Sequence, residues 1–193
     1  MLLILCSCSI SISDRQINEP IDVNPLNDTE DEDQLSYFSE EEIFDFPLLR
    51  SDWSKEQMEK AGLSKDTLRE DETYYFDDNV RYTYFDWWPE STTPCSVDIF
   101  GHYTGPRGIE VGDDFKEVLS LFPNEKDWKT SEFGEFYGKI YETEEKEPFG
   151  SITVINNGEI WLTLSPAGYG PFLRVFFTDD KVTHYTFYLN TPN

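Results

Sequence analysis

From Ile43 to the C-terminus, apolar and polar positions alternate in short segments, the period of half-buried strands. The clearest case is Val80–Trp87, where alternation sends Tyr82, Tyr84 and Asp86 to one face and Thr83, Phe85 and Trp87 to the other. With Glu72–Phe76 it flanks Asp77-Asp78-Asn79, a hairpin turn. Val97–Tyr103 and Phe136–Glu142 read as further strands. Ser151–Ile155 and Glu159–Ser165 flank Asn156-Asn157-Gly158, residues that tolerate the positive φ of a tight turn. Phe172–Thr178 and Val182–Leu189 flank Asp179-Asp180-Lys181 in the same way.

Two stretches change period. Trp53–Gly62 reads as a helix, with Asp52 or Ser54 able to cap it, Gly62 ending it, and Trp53, Met58 and Ala61 as its apolar stripe. Asp113–Phe122 places Phe115, Val118, Leu119 and Phe122 on one face, with Asp113 as the expected N-cap and Pro123 as the stop. Hairpins with a few short helices predict an α+β fold, an antiparallel sheet packed by short helices. A shift of 61 residues superimposes parts of the two helices, and the turns at Asp77-Asp78 and Asp179-Asp180 echo each other at a spacing of 102. These matches suggest two tandem helix-plus-sheet repeats, 43–106 and 107–193, the second enlarged by 136–165.

Composition alters this picture at the N-terminus. The 193 residues hold 39 acids and 15 Lys or Arg, for a net charge of −24. Such a chain repels a phosphate backbone, so nucleic acid is excluded as a partner. The 31 aromatic residues exclude a wholly disordered chain. Residues 1–42, however, carry eleven acids and one base, with the run Glu30-Asp31-Glu32-Asp33. The stretch 14–42 is therefore expected to be an acidic flexible tether to an α+β domain at 43–193.

Ahead of it, residues 1–13 are apolar and small. Leu5-Cys6-Ser7-Cys8 resembles a bacterial lipobox, with Leu three residues before the cysteine and a small residue just before it. That reading makes 1–13 a clipped lipoprotein signal region, Cys8 the lipidated residue, and the location extracytoplasmic, on a membrane lipid anchor. No apolar run reaches the roughly 18 residues of a membrane span, so membrane contact comes through the anchor alone.

The segment Arg107-Gly108-Ile109-Glu110-Val111-Gly112-Asp113, running into Val118-Leu119 and followed by antiparallel strands, resembles small bacterial lipoproteins with the fold of β-lactamase inhibitor protein. The small lipoprotein of the outer-membrane assembly machine shares this unit. The resemblance covers about 107–189. It implies a secreted or lipid-anchored protein that acts by binding other proteins, and it brings no catalytic residues.

The residues themselves offer little chemistry. Two distant histidines, His102 and His184, and no Cys pair fall short of a zinc ligand set. The paired aspartates lack calcium-loop spacing, and no nucleophile elbow or phosphate loop is present. No cofactor, metal or catalytic residue is expected. Cys95 reads as a half-buried small hydrophobe. Tyr and Trp anchor interfaces, so Tyr82, Tyr84, Trp87, Trp88 and Tyr169 are the expected contact residues. The sequence thus predicts a lipid-anchored, non-enzymatic binding module for a protein or a cell-envelope component. Two other classes stay open: an envelope hydrolase using the turn carboxylates, and an acidic cytosolic inhibitor or immunity protein.

Overall fold

A computed structural model of the chain describes residues 35–69, 71–87, 92–128, 132–139, 147–155, 158–168 and 170–189. Along them run helices α1 (Glu40–Phe44), α2 (Lys55–Lys60) and α3 (Phe115–Leu119), a 3-10 turn at Pro106–Gly108, and nine strands. The strands are β1 (Ser64–Arg69), β2 (Glu72–Phe76), β3 (Val80–Phe85), β4 (Ser96–Ile99), β5 (Phe133–Tyr137), β6 (Phe149–Val154), β7 (Ile160–Ser165), β8 (Phe172–Thr178) and β9 (Lys181–Tyr188). All nine form one sheet in the order β1-β2-β3-β4-β9-β8-β7-β6-β5. Each neighbouring pair is antiparallel. The expected sheet-rich α+β fold is the one observed.

The order is near-symmetric about the β4–β9 seam, with three strands beyond β4 and four beyond β9. Counted outward from the seam, the β2–β3 turn matches the β7–β8 connection. The sequence echo instead set it against the β8–β9 turn, so the two echoed turns occupy non-equivalent places.

Local chemistry explains the elements. The β8–β9 loop has two residues, Asp179 and Asp180, both at positive φ (52° and 59°), between the paired Thr178 and Lys181. That is the mirror-image turn whose twist suits a hairpin, and Asp tolerates it through local hydrogen bonds. At the β2–β3 turn the Asp77 carboxylate accepts from the amides of Asn79 and Val80. Helix α2 starts in a capping box made by Ser54 and Gln57. Helix α3 is capped by Asp114 rather than the expected Asp113, whose carboxylate accepts from the Glu110 amide instead. Gly112, at φ +102°, makes the entry turn, where its amide donates to the Val182 carbonyl.

One sheet face is packed by helices. Tyr75, Tyr82, Tyr84, Val97, Ile99, Tyr185, Phe187, Val175 and Leu162 on the strands join Ile43, Met58, Phe115 and Val118 from the helices in one core. Phe46, just past α1, stacks on Phe187 at 4.8 Å, and Phe115 meets Phe177 edge-on at 5.1 Å.

The body also begins earlier than residue 43. Ser39 and Glu42 form a capping box, Phe38 is buried against Phe122, and Glu42 pairs with Arg107. Residues 35–42 are thus part of the fold rather than of a tether. A short acidic first turn stabilises a helix N-terminus, and Phe38 supplies the apolar anchor. The rest of the expected tether and the signal region lie outside the described residues.

Candidate functional site

The opposite face of the sheet carries no helix among the described residues, and its side chains follow from strand register. A central row runs Phe76, Arg81, Asp98, Thr186, Arg174, Thr163, Ser151 and Glu135, each paired to the next on β2, β3, β4, β9, β8, β7, β6 and β5. To one side of it lie Tyr74, Thr83, Ser96, Tyr188 and Phe172. To the other lie His184, Phe176, Trp161, Thr153 and Phe133. A polar trough is thereby flanked by aromatic rows.

The small side chains of the trough are shaded by their larger neighbours, so Thr186, Ser151, Thr163 and Asp98 are all buried although no helix covers them. Asp98 is fully engaged: one oxygen accepts from Thr186 Oγ1 at 2.6 Å and the other from Arg81 Nε at 2.8 Å. The Arg81 guanidinium lies over Tyr74 (5.4 Å) and Phe100 (5.3 Å). Arg174 lies among three rings, 5.0 Å from Trp161, 5.4 Å from Phe172 and 5.3 Å from Tyr188. Such contacts hold a cation over a negative ring face.

His184 completes the lattice. It stacks on Phe176 at 4.1 Å and, on its other side, on Phe100 at 5.5 Å. Burial in this stack pulls its pKa below the usual histidine value, against the opposing field of Asp98. It is therefore a neutral stacking element at neutral pH. At the rim, Phe100 and Phe133 are substantially exposed.

The expected contact residues divide. Trp87 is 51% exposed and sits 5.5 Å from Phe85, whose side chain belongs to the open face, so it extends this surface. Tyr82 and Tyr84 do not belong to it. Both are fully buried on the helix side, where their hydroxyls donate to the Leu48 and Trp53 carbonyls at 2.8 Å. Alternation assigned them one common face correctly, but the tyrosines are the inward set. Burial pushes the Tyr82 hydroxyl up to about 12 and raises Tyr84 as well. Trp88, Tyr169 and Cys8 lie outside the described residues.

Among the described residues, the other candidates do not come together in one place. Asp77, Asp78, Asp179 and Asp180 are exposed in two separate turns. None of them lines the cleft of Glu41, Glu42, Asp45, Phe46, Pro47 and Thr104 between the α1 region and the 3-10 turn. Among the described residues, no three His, Cys, Asp or Glu side chains are placed to share a metal ion. Cys95 is buried, its thiol directed at the Thr83 carbonyl at 3.0 Å, and burial lifts its pKa to about 12. Burial and the raised pKa both work against forming the reactive thiolate there.

No family model, curated protein or solved structure matches this chain. The site therefore has to be read from its own residues. Those that sequence reasoning missed were Arg81, Asp98, Trp161, Arg174 and His184. The signal was the same alternation, in Phe172-x-Arg174-x-Phe176 and His184-x-Thr186-x-Tyr188, where the polar-looking face of each strand carries aromatics.

Proposed function

We propose that this chain is a lipid-anchored, extracytoplasmic binding module, without catalysis, whose open sheet face engages a protein or a cell-envelope component. The observation that carries the reading is the lattice of rings and guanidinium groups on a face left uncovered by the helices. Residues of this type dominate binding hot spots, and soluble proteins rarely leave such a surface without a use. The exposed, separated turn carboxylates favour binding over hydrolysis. Among the described residues, no helix is long and apolar enough to cross a membrane. The lipobox-like Leu5-Cys6-Ser7-Cys8 supplies the attachment in this reading. The β4–β9 seam, with the four strands of 43–106 on one side and the five of 107–193 on the other, fits an origin as two helix-plus-sheet units, although the echoed turns are not equivalent within them.

Two measurements test it. The native chain should incorporate a fatty-acid probe and sediment with membranes, and Cys8→Ser should abolish both. A chain that stays cytosolic and unlabelled would favour the inhibitor or immunity reading instead. Photo-crosslinking in intact cells from probes at Trp87 and Phe133 should capture one envelope component, while probes at Glu56 on α2 should not. Equal capture from both sites would remove the open face as the binding surface.

A further inference from the structure

In the central row of the open face an arginine stands one strand out from the β4–β9 seam on each side, but only one of the two has a carboxylate beside it. Outward from the seam on one side come Asp98 and Arg81; on the other come Thr186 and Arg174. Arg81 forms a direct ion pair with Asp98. Thr186 occupies the matching place beside Arg174, and a threonine offers no charge. Both Asp98 oxygens are already bonded, to Arg81 and to Thr186 itself. Among the described residues Arg174 pairs with no carboxylate; its Nε donates to Thr163 Oγ1 at 3.2 Å and its guanidinium also hydrogen-bonds the Tyr188 hydroxyl, both neutral partners. A guanidinium stays charged at any physiological pH and has five N–H donors in a planar fork. Here it is half-buried among Trp161, Phe172 and Tyr188 in a chain of net charge −24.

We propose that Arg174 receives a single carboxylate, from an Asp or Glu side chain, presented by a basic protein partner. The inference rests on the open face being the binding surface and adds the chemistry of what lands there. Local charge selects the carboxylate: the planar fork matches a two-oxygen anion, and charge-assisted pairs of this kind are the strong ones. The three rings around it favour apolar neighbours on either side of that carboxylate. Global charge selects the partner. A long polyanion is repelled by the acidic body, whereas a basic surface is drawn toward it and oriented. The occupant is therefore one acid in a cationic setting.

The test uses the full chain and two end-blocked basic heptapeptides, identical except for a central glutamate or glutamine between two phenylalanines. Binding is followed by NMR at the Trp161 indole N–H. The glutamate peptide should bind at least about tenfold more tightly than its glutamine twin at low salt. In Arg174→Gln that preference should vanish, and in Arg174→Lys, which keeps charge without the fork, it should fall to an intermediate value. Circular dichroism and thermal melting of both variants establish that they are folded. Equal affinity of the two peptides, or a preference that survives Arg174→Gln, overturns the proposal. So does inorganic polyphosphate, added without peptide, shifting the Trp161 indole signal in an Arg174-dependent way. If the peptides show no dependence on Arg174 while crosslinking from Trp87 still captures an envelope component, this inference fails alone. If crosslinking fails as well, the reading of the face fails with it.

Discussion

Arg107 grips Glu42 with two prongs, Nε to Oε1 at 2.6 Å and Nη2 to Oε2 at 3.0 Å. The same guanidinium donates to the carbonyls of Ser36, Tyr37 and Leu121 and lies 4.5 Å over the Phe122 ring. One side chain thus ties the segment before α1 to the end of α3. Arg107 adopts a left-handed backbone (φ 56°) to reach them, a conformation that costs about 1 kcal/mol or more and persists where contacts offset it.

Breaking this grip should be expensive. Arg107→Ala is expected to lower stability by about 3 kcal/mol, since it leaves three carbonyls and a poorly exposed carboxylate without their partner. Glu42→Gln, which keeps an acceptor, should lose about 1 kcal/mol. Thermal melting reads the difference at roughly 2–4 °C per kcal/mol for a chain of this size. Hydrogen exchange should rise over 36–44 first, while the central strands stay protected. Uniform loss of protection would contradict a local tie.

The two inward tyrosines make a separate prediction. Tyr82→Phe and Tyr84→Phe should each cost about 1 kcal/mol, the net worth of one hydrogen bond to a carbonyl. Alanine at either position should cost about 3–5 kcal/mol through cavity formation. None of these substitutions should alter capture at the open face in the fraction that remains folded. A binding defect in the stable phenylalanine variants would return these residues to the contact surface.

Alkali offers a test with a defined sign. Burial raises the Tyr82 hydroxyl from 10.0 to about 12, and Tyr84, Tyr137 and Tyr185 are raised for the same cause. The unfolded chain ionises these groups first, so the stability they hold is complete below pH 10 and is lost progressively above it, for Tyr82 between pH 10 and about 12 and for the other three over a range that extends higher. Denaturant midpoints should fall across that window. Tyrosinate absorbance from the core should appear together with loss of the native circular dichroism, not before it.

Gly150 on β6 lies beneath the rings of Phe136 and Tyr137, and a Cβ there would fall inside the van der Waals radii of both. Gly150→Ala should therefore destabilise by about 1–3 kcal/mol despite the better strand propensity of alanine. Equilibrium unfolding of the variant measures this, and an unchanged midpoint would mean that the two rings shift freely.

Cys95 should resist modification. With Cys6 and Cys8 replaced by serine, the native chain should react with a thiol reagent only at its rate of opening, and quickly once unfolded. Fast reaction in the native state would contradict the buried, suppressed thiol.

Alternation made most of this sheet legible. The strands whose inward side chains are Tyr75, Val97, Leu162, Val175 and Phe187 all carried a period of two, and their turns carried Asp, Asn and Gly. What alternation cannot say is which face turns inward when both are aromatic. Tyr82 and Thr83 could each have faced the helices, and the choice is made by hydroxyls finding the Leu48 and Trp53 carbonyls. Strand β1 went unread because it lies at the sheet edge, where its described side chains are all exposed and no period is imposed. Helix α1 was hidden by its acidity. Its signal was Ser39-x-x-Glu42, the reciprocal cap, ahead of Ile43 and Phe46. The Arg174 site depends on which strands become neighbours across the seam, a property of topology that no local window contains.

That seam also bears on how the chain is made. Strand β9 is the last strand in sequence and the fifth of nine in space, so Ile99 at the end of β4 waits for Tyr185 and Ser96 for Tyr188. During synthesis the β4 edge of the first four strands stays open until Tyr185–Tyr188 arrives to close it. The sheet is therefore joined at the end of translation, through contacts of long sequence separation, which makes for slow folding. A nascent chain halted before residue 181 lacks the strand that joins β4 to β8, and those two inner edges would be open to pairing with other strands.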